Sequence, residues 1–254
     1  MGAVQAFLAA NRRLSLAAAR LWPRRPDRLH LRYCQTVVQT INRRPDQLVA
    51  DVGGGKTLSY AQYVTPGSAH IVAVDISETE LSANESVAET RVADISRHLP
   101  FDDAEVDMLT SSSVLEHLPD LGGFLDEAAR VVKPGGVMVH IFPSRLTPFA
   151  TMNRALPERL KRWLLVRLFP ETEGLCGFPA FYDRCYYAAF VSECERRGFR
   201  IESVGTAYYG SSPYFVHLFP LFLALRLWEA GASALGARNL ASTIMIEAQK
   251  PSRN

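Results

Sequence analysis

The residues best suited to chemistry stand where short apolar runs end. The first group is LVADVGGGKT, Leu48 to Thr57, an apolar run closed by an acid, three glycines and Lys-Thr. Glycine-rich turns of this kind hold phosphates, dinucleotides or other nucleotide-like ligands, and the spacing separates them. A phosphate loop, G-x-x-x-x-G-K-[ST], needs glycine at position 50, which is Ala50, and it would place Asp51 inside a cradle built for an anion. A dinucleotide turn, G-x-G-x-x-G, is met by Gly53 and Gly55 but not by Leu58 at the third position.

S-adenosylmethionine (SAM) fits better. It carries an ammonium, a sulfonium, a ribose and an adenine, and no phosphate. An acid at the strand end, Asp51, can take the ammonium directly or through water, and glycine lets the backbone approach the ligand. Asp75, at the end of the next apolar run, can accept from the ribose hydroxyls as acids do in dinucleotide sites. Asp94, after a third run, can accept from the adenine amino group. Each acid taken alone can also be a cap of local backbone N–H groups, and for Asp94 the two readings are evenly matched. The trio at successive strand ends favours the ligand.

The elements that position these residues alternate. Apolar strands are expected at QLVADVG, HIVAVDIS, TRVADI, the start of EVDMLTSSSVLEHL, and VMVHIFPS. Helices are expected at TLSYAQYV, ETELSANESVA and LGGFLDEAARVV, the last stopped by Pro134-Gly135-Gly136. Continuous apolar strands alternating with helices imply a parallel sheet covered on both faces, with ligands at the strands' carboxyl ends. Upstream, residues 3–21 and 28–43 read as helices separated by WPRRP. Downstream, residues 145–181 read as an inserted helical cap holding the basic stretch LPERLKRWLLVRLFP, and YDRCYYAAFVSECERRGF reads as a helix. RIESVGTAYYG and LASTIMIEAQK read as strands around a long helix over 214–235. The domain plan is a basic helical segment over 1–45 followed by one domain over 46–254.

Composition is that of a globular chain, with 48% hydrophobic and 21% charged residues. The net charge of +2 hides an asymmetry. Residues 1–44 hold nine arginines and one acid, Asp27, so they carry +8 and the remainder −6. Such a leader suits an anionic membrane surface, an acidic ligand or nucleic acid, or is a solvated face. The four cysteines lack C-x-x-C spacing, so neither a zinc site nor a disulfide scaffold is expected, and a reduced cytoplasmic setting is the default. Tyr214–Trp228 is apolar but interrupted by His217, Pro220 and Arg226, which suits a buried or interfacial helix rather than a span.

VADVGGGKT, IVAVDIS, VADISRHLPFDDAEVDMLTSSSVLEHLPD and EAARVVKPGGVMVHIF together resemble the class I SAM-dependent methyltransferases, in particular the small-molecule enzymes of ubiquinone-biosynthesis type. The resemblance covers residues 46–145. It implies a Rossmann-like, doubly wound, mostly parallel seven-stranded α/β sheet with a reversed final strand pair, and SAM as cofactor. It implies that Asp51, Gly53 and Gly55 hold the methionine part, Asp75 with Ile76 the ribose, and Asp94 with Ile95 the adenine. Ser111 would line the cofactor's methyl end, and Ser112 and Ser113 the acceptor side. Outside the resembling stretch, Tyr182, which follows the expected cap, and Tyr33 are candidates to face the acceptor. Many members carry a third glycine where this chain has Thr57, and a small or polar residue at Lys56.

Methyl transfer is an in-line displacement that needs alignment and, where the acceptor must lose a proton, a base. His117 in LEHL is the candidate, with packing beside the cofactor as the alternative role. His140 reads as core, and Asp183 as a helix cap. The acceptor is expected to be a small or lipid-linked molecule, with O-methylation as the default and peripheral membrane contact as an option. A nucleic-acid methyltransferase is the rival, disfavoured because SSSVLEHL lacks the Asn/Asp-Pro-Pro-Tyr type motif and supplies no groups to read a flipped base. A non-catalytic, membrane-associated SAM-fold protein is the third reading.

Overall fold

The computed structural model describes residues 2–21, 28–157, 159–160 and 179–252. The apolar runs assemble into one seven-stranded sheet: β1 (Gln47–Val52), β2 (Ala69–Asp75), β3 (Glu89–Val92), β4 (Val106–Ser112), β5 (Val132–Pro143), β6 (Arg200–Ala207) and β7 (Thr243–Gln249). Their order is β3-β2-β1-β4-β5-β7-β6. Only β7 runs against the rest, paired antiparallel with both β5 and β6. The chain builds outward from β1 to β3 and then returns to β1's other side as β4. The strand order reverses between β1 and β4, so their carboxyl ends border the crevice where such sheets bind ligands.

Seven helices are described: α1 (Ala3–Leu21), α2 (Leu29–Asn42), α3 (Glu78–Ser82), α4 (Leu121–Val131), α5 (Pro148–Ala155), α6 (Tyr187–Arg196) and α7 (Phe219–Ala234). α4 shows why they form. Leu121, Phe124, Leu125, Ala128 and Val131 recur at helical spacing, and all five are buried. They join Phe190 and Cys194 of α6 against Ala50, Val52, Leu109 and Phe142 on one face of the sheet. The other face packs Val49, Met108 and Val139 with Tyr33, Val37 and Ile41 of α2 and Leu81 of α3. The sheet is thus covered on both sides, which its unbroken apolar strands require.

Several elements differ from the sequence expectation, each for a local reason. The helix expected over TLSYAQYV is a single 3₁₀ turn, Ala61–Tyr63, with extended backbone at Val64 ahead of Pro66. The helix expected from 78 to 88 stops at Ser82, because Asn84 turns its amide to the carbonyls of Gly54 and Gly55 and accepts from Ser86 N–H. β5 starts at Val132, upstream of the expected Pro-Gly-Gly stop. Val132 already pairs with Val106, and Gly135 and Gly136 exchange backbone hydrogen bonds with Lys250. The helix expected from 182 begins at Tyr187, because Tyr182 and Arg184 hold φ of 56° and 49°. The long helix expected over 214–235 begins at Phe219, with Pro220 in its first turn, after a separate 3₁₀ turn at Ser212–Phe215. In the expected insertion, α5 is capped by Thr147, whose Oγ1 accepts from Ala150 N–H. Residues 158 and 161–178, most of the basic stretch, lie outside the described residues, as do 22–27 of the leader.

Phe124 is fully buried between sheet and α6, 5.8 Å from the His140 ring. Phe124→Ala is expected to lower unfolding free energy by about 3–5 kcal/mol, measured by urea denaturation.

Candidate active site

β1 carries Asp51 into the crevice one residue before its end, on the α2 side of the sheet, with Ala73 and Thr110 as its neighbours in register. The residue is 6% exposed, and among the described residues no cation pairs with its carboxyl group. Burial pushes its pKa up to about 7; the facing Tyr60 hydroxyl opposes that shift and the charge of Asp75 adds to it. Tyr60 lies under the acid without closing a hydrogen bond of good geometry. Tyr33 stands beside it, its ring edge-on to Tyr60 at 6.4 Å and its hydroxyl 2.6 Å from Thr110 Oγ1.

The glycine turn closes over this acid. Gly53 and Gly54 N–H both donate to the Val74 carbonyl, at 2.7 and 3.2 Å. Gly53 has φ of 71°, and a Cβ there would lie 2.2 Å from Val114 Cγ2; at Gly54 it would meet the Ala73 Cβ at 2.9 Å. These two positions therefore require glycine for space, and Gly53 for conformation as well. Asp75 ties the turn down. Its Oδ2 accepts from Gly55 N–H at 3.1 Å and its Oδ1 from Ser77 N–H at 2.9 Å, leaving further lone pairs for a ligand. Ile76 beside it is 55% exposed. Lys56 faces outward to Glu80, 3.4 Å away, with both side chains exposed. It forms a surface ion pair of the kind that adds little stability.

At the third strand end, Asp94 Oδ1 accepts from both the N–H and the hydroxyl of Ser96, and Oδ2 is 3.2 Å from Arg97. The local capping role is thus filled, and the side chain stays partly exposed. Ile95 is buried in the core below. At β4, Ser111 is fully buried with its hydroxyl 2.7 Å from His140 Nδ1. Burial drives His140 down to about 3, so its ring is neutral between Phe124 and Phe190. Ser112 is half-buried, and Ser113, with φ of 57°, turns the chain out of the strand while donating to the Ile141 carbonyl.

That turn leads to Leu115–His117, which supplies two groups side by side. His117 Nδ1 donates to the Pro179 carbonyl at 3.0 Å. Nε2 is 3.8 Å from Glu116 Oε1. Glu116 itself is buried, its Oε2 meets no hydrogen-bond donor among the described residues, and burial pushes its pKa up to about 7. The Glu116 carbonyl accepts from Phe181 and Tyr182 N–H, which hangs the 179–184 loop on this turn. Tyr182 is buried beside the Glu116 carboxyl. Sequence reasoning did not single out Tyr60, Asn84, Val114 or Glu116. The Glu-His pair was visible, but burial of its acid and the contact of Val114 on Gly53 come from the fold.

A buried acid lacking a cation, under a turn that a Cβ would fill, suits a ligand bearing an ammonium and no phosphate. Among the described residues no cluster of three or more acids, histidines or cysteines could hold a metal ion. Residues 50–140 match a family model described as a methyltransferase domain. The chain is 30% identical over 169 residues to a demethylmenaquinone methyltransferase of Mycolicibacterium gilvum, covering 66% of each chain. Among solved structures it superposes on a putative sarcosine dimethylglycine methyltransferase from Galdieria sulphuraria, with TM-score 0.55 at 15% identity over 89% of this chain and 87% of that one. It superposes likewise on the geranyl diphosphate C-methyltransferase of Streptomyces coelicolor in complex with Mg2+, geranyl diphosphate and S-adenosyl-L-homocysteine, with TM-score 0.53 at 15% identity over 88% and 81%. These structural likenesses carry the fold. The chain belongs to the class I SAM-dependent methyltransferases, related to menaquinone- and ubiquinone-type enzymes. The matched segments span from 45% to 66% of the length of the curated relatives.

Gly53→Ala is expected to weaken S-adenosylhomocysteine binding at least about tenfold, measured by calorimetry, since a clash with Val114 and a disfavoured φ both oppose it. Val114→Ala in the same chain should restore only part of the loss. The raised Glu116 pKa makes the folded chain hold a proton that the unfolded chain releases near its ordinary value of 4.5. Stability from this group therefore falls as pH rises from about 4.5 to about 7 and is level above. Glu116→Gln should shrink the fall in melting temperature between about pH 5 and about pH 8.

Proposed function

We propose that this chain transfers the methyl group of SAM to a small-molecule or lipid-linked acceptor, with oxygen as the default atom, in secondary-metabolite, glycolipid or polysaccharide biosynthesis. A cytoplasmic chain that touches a membrane at its periphery fits this reading. The observation that carries it is the Asp51 carboxyl, buried at the β1–β4 switch beneath a glycine turn whose shape depends on having no side chain. Asp51 would take the cofactor's ammonium, Asp75 the ribose hydroxyls, and Asp94 with Ile95 would border the adenine. Ser111 to Ser113 would line the methyl end.

Bound SAM supplies an electrophilic methyl on a sulfonium, so the protein's part is alignment and exclusion of water. Val114 packs on Gly53 and fixes the floor of the transfer site. His117 would serve as the base that takes the acceptor's proton, and the buried Glu116 beside it would hold the resulting charge. Tyr182, held on the Glu116 carbonyl, would face the acceptor. In the present geometry Tyr33 favours support of Asp51 over contact with an acceptor. The named activity of the Mycolicibacterium relative supports a quinone-like ring as one acceptor class, and with it carbon as a second candidate atom. A nucleic-acid acceptor remains the rival reading, and salt-sensitive oligonucleotide binding would favour it.

Protonation of Asp51 competes with the ligand's ammonium. S-adenosylhomocysteine affinity should therefore drop about tenfold per pH unit below about 7, with a matching proton release in calorimetry, and Asp51→Asn should remove that dependence. Asp75→Ala should weaken binding about 10- to 100-fold. Labelled SAM offered with a panel of phenols, quinols and prenylated rings tests transfer. Tight cofactor binding with no transfer to any of them would favour the non-catalytic reading.

A further inference from the structure

α7 is turned inside out for a helix at a protein–water boundary. Its sixteen residues hold two charges, Arg226 and Glu229, and both point inward, with side-chain exposures of 15% and 0%. Glu229 Oε1 accepts from Ser211 and Ser212 N–H at 2.8 and 3.1 Å. Arg226 lies over the Tyr209 ring at 4.7 Å and donates to Ser212 Oγ. From Leu218 to Ala237, by contrast, every exposed residue is apolar: Leu218, Pro220, Leu221, Ala224, Leu227, Gly231, Ala234, Leu235 and Gly236. Leu227 is 55% exposed and Leu235 84%. An amphipathic helix of a water-facing domain has the opposite arrangement, and a contiguous exposed apolar face marks an interaction site.

The neighbouring helix supplies the sign of the partner. α1 packs on α7, and Asn11 Oδ1 accepts from Phe219 N–H at the first turn of α7. α1 contains no acid and exposes Arg12, Arg13 and Arg20 together with Phe7 at 58% and Leu14 at 53%. No described helix is long and apolar enough to cross a membrane. A two-fold contact between copies through this face would bring the arginines of α1 toward their equivalents, like charge against like. An anionic lipid surface instead meets both properties, apolar contact at the acyl boundary and attraction of arginines to headgroups.

We propose that α7 and α1 together form the face by which this protein lies on an anionic bilayer, with Leu221, Leu227 and Leu235 entering the headgroup layer and Arg12, Arg13 and Arg20 on lipid phosphates. The proposal rests on the membrane contact put forward above and gives it a surface. It does not need the transfer chemistry.

The test uses the whole chain with phosphatidylcholine vesicles, alone or mixed in equal parts with phosphatidylglycerol, in a flotation assay. Binding should appear on the mixed vesicles and weaken with added salt. It should fall about tenfold for Leu227→Gln, and by a similar amount when Arg12 and Arg13 are both changed to Gln. Leu235→Gln, just past the helix end, gives a second variant that leaves the fold's packing alone. S-adenosylhomocysteine binding is measured in parallel and should be unchanged in all of them. Wild-type chain that binds S-adenosylhomocysteine but stays off mixed vesicles overturns the face and leaves the methyltransferase reading intact. Vesicle binding with no cofactor binding does the reverse. Equal binding by wild type and both leucine variants overturns the assignment of α7. A solution dimer that dissociates on Leu227→Gln overturns it in favour of a second copy.

Discussion

A buried carboxyl group with no cation against it among the described residues is the constraint around which this structure is arranged. Asp51 sits in the middle of a sheet, at the one place where the chain changes direction between β1 and β4. Its surroundings are organised as if a positive group were to complete them. Asp75 adds negative charge from β2, and Tyr33 and Tyr60 close the space below. Burying an acid alone is costly, and part of that cost is met by holding the proton to a higher pH. A ligand that brings its own ammonium relieves the strain on both the acid and the turn above it. The pre-formed turn, fixed through Val74, Asp75 and Asn84, then costs little to order on binding.

The second organising contact is between the two halves of the crevice. Val114 fills the space that a Gly53 side chain would take. The next residues carry Glu116, whose backbone carbonyl holds the 181–182 peptide groups and whose side chain faces Tyr182. One short turn thus touches the glycine loop on one side and the peptide groups of 181–182 on the other. In the proposed site, the cofactor side and the acceptor side would be linked through Val114 to Glu116. A displacement at a sulfonium carbon depends on such a link, because its rate follows the distance and angle between two separately bound molecules.

Much of this was legible in the sequence. Strand ends are marked by acids and glycines because apolar runs in a doubly wound sheet must end where the ligand begins. Asp51, Gly53 and Asp75 could be placed before any coordinates. Lys56 looked anomalous only because its partner, Glu80, lies in the next helix. What stayed hidden were contacts made by residues without distinctive chemistry. Asn84 reads as part of a helix, yet it ends that helix by turning to the glycine carbonyls. Tyr60 reads as one of many aromatics, and its place under Asp51 depends on the turn that replaces the expected helix. Glu116 reads as half of a Glu-His pair, and only packing shows its carboxyl to be enclosed. The boundaries of α6 and α7 were misplaced because positive φ at Tyr182 and Arg184 and a separate turn before Pro220 leave no periodic trace.

Charge follows a similar division of labour. The leader's +8 and the remainder's −6 nearly cancel in the whole chain but are separated along it. Asp51 and Asp75 stand at the strand ends that border the crevice, and the arginines of α1 are exposed beside α7. The ion pair of α7 shows that the outward face is not simply a shortage of polar residues. Arg226 and Glu229 are present, and the fold spends them on the backbone at 211–212 instead of on water. Turning both inward costs desolvation that an outward orientation would avoid. That cost is offset when the outward face loses contact with water.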